Sequence, residues 1–276
     1  MKGDFKMKSL FKSHWIKFLS LLLLFQANVL AHASSLAFQN LSDGDVKELV
    51  NEFSANFTHT SVSGASPLGS LLGVELGLIG GRTRSPQMDS LAKSADPSVD
   101  ANPIYHGGIL GVVSVPFGLT LEASLLPKFS TSSFDVRNLG LAIKWSLTSS
   151  VIELPVSLAI KLHHMGTKLH FSQTVSSVQS TVDVEDKVNG ALLLVSKDFV
   201  VVEPYLGFGV LKAKGDFDVS GTTTFFSSGV TSKSAEQSSA QFLLGVEAHL
   251  LVLKLGLEVA RQFGTTSATG KVSFYF

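Results

Sequence analysis

Strict alternation of apolar with small or polar residues is the feature that most restricts how this chain can fold. In 69–80, the stretch GSLLGVELGLIG places Leu and Val residues on one face and Glu75 with glycines on the other. A period of two residues is that of a β-strand, whose successive side chains point to opposite faces. The same pattern occurs in four further segments, at 118–127, 138–147, 154–165 and 252–260.

Less regular strands fill the rest of the chain. Their predicted positions are 105–115, 187–196, 200–213, 238–250 and 268–276. The result is an all-β fold of about ten strands, within a range of eight to twelve. Each strand is close to the length that a tilted strand needs to cross a bilayer. Residues 191–195 are apolar on both faces, so the alternation does not show which of these side chains point inward.

The connections between these strands differ in length. Long ones are predicted at 81–104, 166–186 and 214–237, and most others are short. A transmembrane antiparallel up-and-down β-barrel, here residues 69–276, shows this alternation because its turns lie at one end and its loops at the other. In an alternative, TKLHFSQTV and STVDVED form a hairpin above the membrane. A soluble lipocalin-like barrel or β-sandwich also alternates, with its Leu-rich face inward.

The first 33 residues predict export. Five lysines precede an apolar run that closes on an A-x-A sequence at 31–33, the pattern of a cleaved secretory signal. A membrane anchor is the alternative, although Gln26 and Asn28 interrupt the run. The segment 1–33 holds five of the 22 basic and one of the 22 acidic residues, so the remaining chain has a formal charge of −4. That charge gives no reason to expect nucleic acid, and the lack of cysteine excludes a disulfide framework.

Residues 34–68 precede the barrel and contain a helix signal. In LSDGDVKELVNEFSANF, Ser42 or Asp43 can cap the N-terminus, and an apolar stripe follows at helical spacing. The stripe consists of Val46, Leu49, Val50 and Phe53. A short amphipathic helix is marginal alone in water. It therefore docks in the lumen as a plug or at the periplasmic rim, and a loosely ordered leader is the third alternative.

Ionisable residues recur on the face opposite the apolar one. Because charges are costly against lipid near the bilayer midplane, we expect them to line the lumen. There they form a hydrated passage or gate, or a salt-bridge network that fills a narrow barrel. The set comprises Glu75, Glu122, Lys144, Lys161, Glu203, Glu247, Lys254, Glu258 and Lys271.

The chain ends in KVSFYF, with Val272, Phe274 and Phe276 on one face of the last predicted strand. In this ending it resembles bacterial outer-membrane β-barrel proteins, whose last strand ends in Phe after alternating apolar residues. The resemblance implies that this strand pairs with the first, that the barrel assembly machinery reads the ending, and that outer-membrane lipid surrounds the barrel. A helical segment ahead of a barrel also resembles the layout of FadL-like transporters of hydrophobic compounds, whose barrels have more strands.

These features predict a narrow or gated channel or transporter for small or hydrophobic solutes. A non-conducting structural or adhesion barrel that acts through its outer loops is the alternative, and an outer-membrane hydrolase is the third interpretation. His170, Asp183, Asp216 and Asp218 lie on predicted loops, but no spacing marks them as a catalytic group. We therefore expect no enzymatic activity and no cofactor.

Two weaker signals concern ions. His163 and His164 are adjacent on a predicted strand, so they point to opposite faces and cannot chelate one metal together. Asp183, Glu185 and Asp186 in one predicted loop, and Asp216 and Asp218 in another, could bind cations or ions associated with lipid A, but the composition favours ordinary solvated loops. No metal site is predicted.

Overall fold

The computed structural model describes residues 42–69, 72–95, 97, 100–130, 134–148, 154–175, 178–222 and 227–276. The predicted signal segment 1–33 lies outside these residues. The helices and strands are α1 (Asp43–Phe57), β1 (Gly73–Thr83), α2 (Pro86–Ala95), β2 (Ile104–Val115), β3 (Leu119–Ser130), β4 (Phe134–Ser146), β5 (Ser157–Val175), β6 (Val178–Ser196), β7 (Val202–Thr222), β8 (Ser227–Leu250), β9 (Leu253–Gln262) and β10 (Thr265–Tyr275). Neither of the helices within the described residues is long and apolar enough to cross a membrane.

The strands form a closed up-and-down barrel, which confirms the predicted fold and strand number. Each strand pairs antiparallel with its neighbours in sequence, and β1 pairs with β10. At this seam Leu76 lies opposite Phe274, and the Phe276 amide donates to the Val74 carbonyl at 2.8 Å. The last strand therefore has a partner on each edge, whereas the outer part of β8, before Phe242, pairs with β7 alone.

The two ends of the barrel differ, and we name them by their connections. At the turn end, residues 116–118, 197–201 and 251–252 join successive strands, and the chain ends at Phe276. At the opposite hairpin end lie the connection 84–103, which contains α2, and the tips of the β5–β6 and β7–β8 hairpins.

The outer surface carries a belt of exposed apolar side chains, because each strand turns alternate residues outward. In the stretch 191–195, Leu193 joins this belt while Leu192 and Leu194 are buried inside. An exposed apolar surface of this extent is matched by lipid rather than water. Members of the belt include Leu76, Leu121, Leu141, Leu162, Leu193, Phe208, Leu244, Leu257 and Val272.

Strands β5 to β8 extend well beyond this belt. They hold 19, 19, 21 and 24 residues, roughly twice what a bilayer crossing requires. The prediction of long loops at 166–186 and 214–237 is therefore wrong, because strands occupy most of both regions and extend the barrel. The alternative, a hairpin of TKLHFSQTV with STVDVED, is confirmed. Beyond the belt the outward residues turn polar and the apolar residues, such as Val182 and Phe217, face inward, so the polarity pattern of a membrane strand no longer applies.

Candidate functional site

Helix α1 begins at a well-formed N-terminal cap. The Ser42 hydroxyl accepts a hydrogen bond from the Asp45 amide at 3.1 Å, and the Asp45 carboxylate accepts one from the Ser42 amide at 2.9 Å. This reciprocal capping box satisfies two amides that the helix itself leaves unpaired. An exposed ion pair between Asp43 and Lys233 ties the same end of α1 to β8 at 2.6 Å.

Helix α1 lies inside the barrel, in the half of the lumen toward the hairpin end. Its apolar stripe of Val46, Leu49, Val50 and Phe53 is at most 3% exposed. The stripe packs in one cluster with inward side chains of β5 to β8, which include Leu169, Val182, Val188, Leu211 and Phe217. A Cβ at Gly215 would lie 2.5 Å from Val50, so this glycine lets the helix approach the wall closely.

A carboxylate on α1 also positions the second helix. Glu52 is buried, and its two oxygens accept hydrogen bonds from the amides of Gln87 and Met88, each at 2.8 Å. These amides belong to the first turn of α2, where a carboxylate is favoured by the free N–H groups and the helix dipole. Helix α2, which the sequence reading missed, is thus held over α1 at the hairpin end.

After α1 the chain continues through the turn-end half of the lumen in an extended form. His59 lies 3.1 Å from the Glu122 carboxylate, and Thr60 donates to Glu258 at 2.8 Å. Further along, Ala65 donates its amide to the Ser196 hydroxyl at 2.9 Å. We call residues 42–69 the lumen segment, because they traverse the barrel from the hairpin end to the start of β1.

Five of the nine predicted lumen charges contact this lumen segment. Lys144 donates to the carbonyls of Gly64 and Ser66 at 2.8 and 3.2 Å, and Lys161 donates to the Ser61 hydroxyl at 2.9 Å. The other three are carboxylates. Glu122 pairs with His59, Glu203 accepts a hydrogen bond from the Ser66 amide, and Glu258 accepts one from the Thr60 hydroxyl. Glu122 and Lys161 also pair with each other at 2.7 Å. Each of the five wall residues therefore makes at least one polar contact with a segment that is not part of the wall.

The remaining four predicted charges form a network across the closing seam. Lys271 on β10 lies 2.8 Å from Glu75 on β1, and Lys254 on β9 lies 2.9 Å from Glu247 on β8. Lys271 also approaches Glu247 at 3.5 Å, so the two pairs are joined. All four side chains are buried inside the barrel. This network links four neighbouring strands through side chains as well as through the backbone ladder.

Several residues of the lumen were missed from the sequence. His106 on β2 bridges Asn56 of α1 and Thr269 of β10 at 3.0 and 2.9 Å. Tyr205 on β7 donates to Glu258 at 2.9 Å. Neither residue stands out by spacing, because their roles depend on which strands are neighbours and at what height.

One group in the described residues has the donor set of a metal site. Glu203, Glu247 and His249 each bring a ligand atom to within 4.8 Å of the other two, beside a cavity of about 190 Å³ that opens at the turn end. The Lys254 ammonium group already pairs with the Glu247 carboxylate at 2.9 Å. The carboxylates therefore serve the ionic network, and a cation would have to displace a lysine.

The structure places the hydrolase candidates on strands rather than loops. His170 lies 2.7 Å from Asp183, and both side chains are exposed on the outer face of the hairpins. Asp216 and Asp218 lie on the same outer face. His163 faces inward and is buried, while His164 faces outward and hydrogen-bonds Asn189 at 2.8 Å.

Asp186 is a buried carboxyl group beyond the belt, and it contacts α1. Its side chain accepts a hydrogen bond from Ser54 at 2.8 Å, and its second oxygen has no hydrogen-bond partner among the described residues. Burial raises the pKa of Asp186 to about 7 from its usual 3.8. The Asp186 carboxyl group therefore holds its proton more tightly while α1 is docked against it.

We expect the contribution of Asp186 to the stability of the barrel to fall with rising pH. A carboxyl group whose pKa is raised by folding contributes stability that is complete below about pH 4 and is lost as the pH rises through 7. Between pH 5 and pH 8 the wild-type free energy of unfolding should therefore fall by roughly 2 kcal/mol relative to that of Asp186→Asn. Urea unfolding in lipid vesicles measures this. Asp100→Asn, at an exposed site, should keep the wild-type slope, and an unchanged slope in Asp186→Asn would contradict the prediction.

A closed antiparallel barrel with an apolar belt outside and charged residues lining its lumen is an outer-membrane β-barrel, a class in which the short turns lie on the periplasmic side. Beyond this class, the chain belongs to the family of unknown function DUF6588, whose model matches residues 26–274. No curated protein matches the sequence.

Solved structures resemble the fold at low sequence identity. They include the translocator domain of the autotransporter NalP from Neisseria meningitidis, with 12% identity, 89% of this chain and 98% of that chain covered, and a TM-score of 0.46. The outer membrane protease OmpT from Escherichia coli has 9% identity, with 74% and 96% covered and a TM-score of 0.43. The attachment invasion locus protein Ail of Yersinia pestis has 11% identity, with 75% and 100% covered and a TM-score of 0.26. These proteins are named for different activities, so the likeness concerns the barrel fold alone.

Proposed function

We propose that this protein is a narrow, gated outer-membrane channel for small solutes, held closed by the lumen segment. One observation carries the proposal: five buried charged groups of the wall hydrogen-bond or pair with that segment. In a barrel filled by its own side chains, wall charges pair with each other, as the four seam charges do and as Glu122 does with Lys161. The Lys144 ammonium instead donates its hydrogen bonds to carbonyls of the lumen segment. Without the lumen segment, the five charges would line a wet passage, and such a lining favours small polar solutes over hydrophobic ones.

The two halves of the lumen segment are held by different forces. Burial of each apolar side chain on the α1 stripe contributes about 1.5–3 kcal/mol. Residues 58–69 bury fewer apolar side chains, chiefly Val62 and Ala65. They depend more on polar contacts, which water can replace with a small net change in free energy. We infer that the resting barrel is closed, that opening begins at the turn end, and that full opening requires an agent that competes for α1.

The proposal includes the route to the membrane. Export uses segment 1–33 as a cleaved signal, and the barrel assembly machinery reads the ending that contains Val272, Phe274 and Phe276. In the structure these three side chains are exposed at the turn end of β10, where they can meet the machinery and then lipid. The role assigned to the protein contains no catalytic step.

Single-channel conductance in planar bilayers tests the proposal. Refolded protein from residue 34 onward should be closed most of the time, and a variant lacking residues 34–66 should conduct continuously. Gly64→Val is a milder change, because a Cβ at Gly64 would collide with the Glu203 carboxylate and push the segment away. It should make brief openings more frequent. Heat-modifiable gel migration verifies folding, and if both folded variants are silent the proposal is wrong.

An engineered disulfide tests whether movement of the lumen segment is the gate. Ala65→Cys with Ser196→Cys joins the segment to β6. At this place the Ala65 amide nitrogen lies 2.9 Å from the Ser196 hydroxyl oxygen, and the chain contains no other cysteine. Built into Gly64→Val, the oxidised pair should abolish openings and reduction should restore them. The control pair, Thr181→Cys with Ser220→Cys, joins β6 to β7, where the two hydroxyl oxygens are 2.5 Å apart. Openings that persist in the oxidised Ala65–Ser196 pair would contradict gating by this segment.

A second candidate function is contact with a partner outside the cell. It is favoured by the length of the β5–β6 and β7–β8 hairpins, which reach beyond what a membrane channel requires. Cells that display the protein should adhere to a surface coated with the partner, and a variant with both hairpin tips shortened should not. Adhesion without conductance would favour this role over the channel.

A further inference from the structure

The outward face of strands β4 to β7 follows one order from the belt toward the hairpin end: apolar, then basic, then acidic or His. On β4, the exposed Leu139 is followed by Arg137 and then by Asp135. On β7, Val210 is followed by two lysines and then by two aspartates. The basic row consists of Arg137, Lys168, Lys187, Lys212 and Lys214, and the row beyond it of Asp135, His170, Asp183, Glu185, Asp216 and Asp218.

Strand register places like charges next to each other in these rows. Arg137 lies directly opposite Lys168, and Lys187 lies opposite Lys214. Like charges at directly opposed positions destabilise a sheet. A surface that needs charge only for solubility can avoid this cost by placing basic residues opposite acidic ones. Ion pairs with Glu185, Glu236 and Asp216 offset part of this repulsion, but exposed ion pairs contribute little to stability. The clustering of cations therefore indicates a charged partner outside the chain.

The groups of the basic row are also placed for binding. Glu185 forms ion pairs with Lys168 and Lys187 at 2.8 and 2.9 Å. These two contacts hold the two ammonium groups close together. Arg137 has no hydrogen bond or ion pair within the described part of the chain. A groove of about 380 Å³ lies over this part of the wall. Its charged and His lining combines Lys128, Arg137, Lys168 and His170 with the carboxylates of Asp135, Asp183, Glu185 and Asp218.

We propose that this basic row binds the phosphate groups of a phosphorylated, multiply acylated glycolipid in the outer leaflet. The row begins one to three outward positions beyond the apolar belt, where acyl chains end and the phosphates of a headgroup begin. Guanidinium and ammonium groups form strong charge-assisted hydrogen bonds with phosphate. The apolar belt below the row offers a surface for the acyl chains of the same molecule.

The acidic row identifies the membrane as the source of the phosphate. It lies on the solvent side of the basic row, so an anion that arrives from solution first meets carboxylates. An anion fixed at the edge of the hydrocarbon meets the basic row without passing them. Free phosphate is therefore a poor ligand, and the inference stands independently of whether the lumen conducts.

Native mass spectrometry in neutral detergent tests this site, with bisphosphorylated lipid A as the probe. The wild type should bind it, and Arg137→Gln/Lys168→Gln and Lys187→Gln/Lys214→Gln should each bind about tenfold more weakly. Lys93→Gln/Lys197→Gln is the matched control, because it removes the same charge from α2 and from a periplasmic turn. Equal binding by all four proteins would overturn the proposal. Equally strong binding of phosphatidylglycerol, or displacement by equimolar inorganic phosphate, would also overturn it.

Stability without lipid separates a binding role from a structural one. Arg137→Gln/Lys168→Gln removes the repulsion between opposed cations and loses, among the described residues, only the exposed Lys168–Glu185 ion pair, which contributes little to stability. It should therefore unfold at an equal or higher temperature than the wild type in detergent alone. The same variant should gain less stability than the wild type when lipid A is added. A lower unfolding temperature without lipid would show that the row supports the fold, and the proposal would fail.

Discussion

Replacement of Lys161 with methionine is expected to lower the free energy of unfolding by about 3–5 kcal/mol. The Lys161 ammonium lies 2.7 Å from the Glu122 carboxylate, and the two side chains are 5% and 0% exposed. Removal of the lysine leaves a buried carboxylate without its nearest counter-ion, and the loss of one partner costs far more than the loss of both. Ser61 also loses the donor that holds it to β5 at 2.9 Å, so the lumen segment should loosen.

A double-mutant cycle isolates this effect. Glu122→Gln/Lys161→Met removes both charges and should recover most of the stability lost in Lys161→Met. Urea unfolding in lipid vesicles measures each variant through the fluorescence of Trp145, because the other tryptophan, Trp15, lies in the predicted signal. Equal stability of the single and double variants would show that Glu122 does not depend on Lys161. A rise in channel openings in Lys161→Met alone would link the same pair to gating.

The fold could be predicted because a membrane wall leaves a simple trace in sequence. Lipid on one face and a wet lumen on the other force alternation, and this gave all ten strands, including β9 with Lys254 and Glu258 on its inward face. Where the barrel rises beyond lipid, that constraint ends. The outer parts of β5 to β8 therefore read as polar loops, although Val182 and Phe217 still mark an inward apolar face.

The contacts inside the lumen could not be predicted to the same depth. Alternation tells which face a residue occupies but not its neighbours, so the pairing of Lys271 with both Glu75 and Glu247 depends on register around the closed barrel. The extended part of the lumen segment, 58–69, has no periodicity, because many of its contacts use backbone groups or small hydroxyls. Helix α2 escaped notice because its N-terminal amides are capped by Glu52, a residue more than 30 positions earlier.

Gly245→Val is expected to lower the free energy of unfolding by about 3–5 kcal/mol, through overpacking together with lost buried hydrogen bonds. Gly245 on β8 lies opposite Tyr205 on β7, and a Cβ at this glycine would overlap the tyrosine ring. The ring covers the glycine, and its hydroxyl donates to Glu258 at 2.9 Å. Glu258 in turn accepts from Thr60 of the lumen segment at 2.8 Å. A valine would move the ring and break this chain of contacts from the wall to the segment.

Two further variants distinguish this mechanism from a general effect of a larger side chain. Gly111→Val on β2 should change stability by less than about 0.5 kcal/mol, because a Cβ there has one neighbour within 4 Å, the side chain of Leu76 at 3.8 Å. Tyr205→Phe keeps the ring and loses the hydroxyl, so it should cost about 1 kcal/mol. If Gly245→Val is no less stable than Gly111→Val, the tyrosine does not need the glycine. If Gly245→Val is destabilised but opens no more often than the wild type, Tyr205 supports the wall without holding the gate. The joint outcome expected, an unstable barrel that also opens more often, requires that the wall and the lumen segment be one coupled structure.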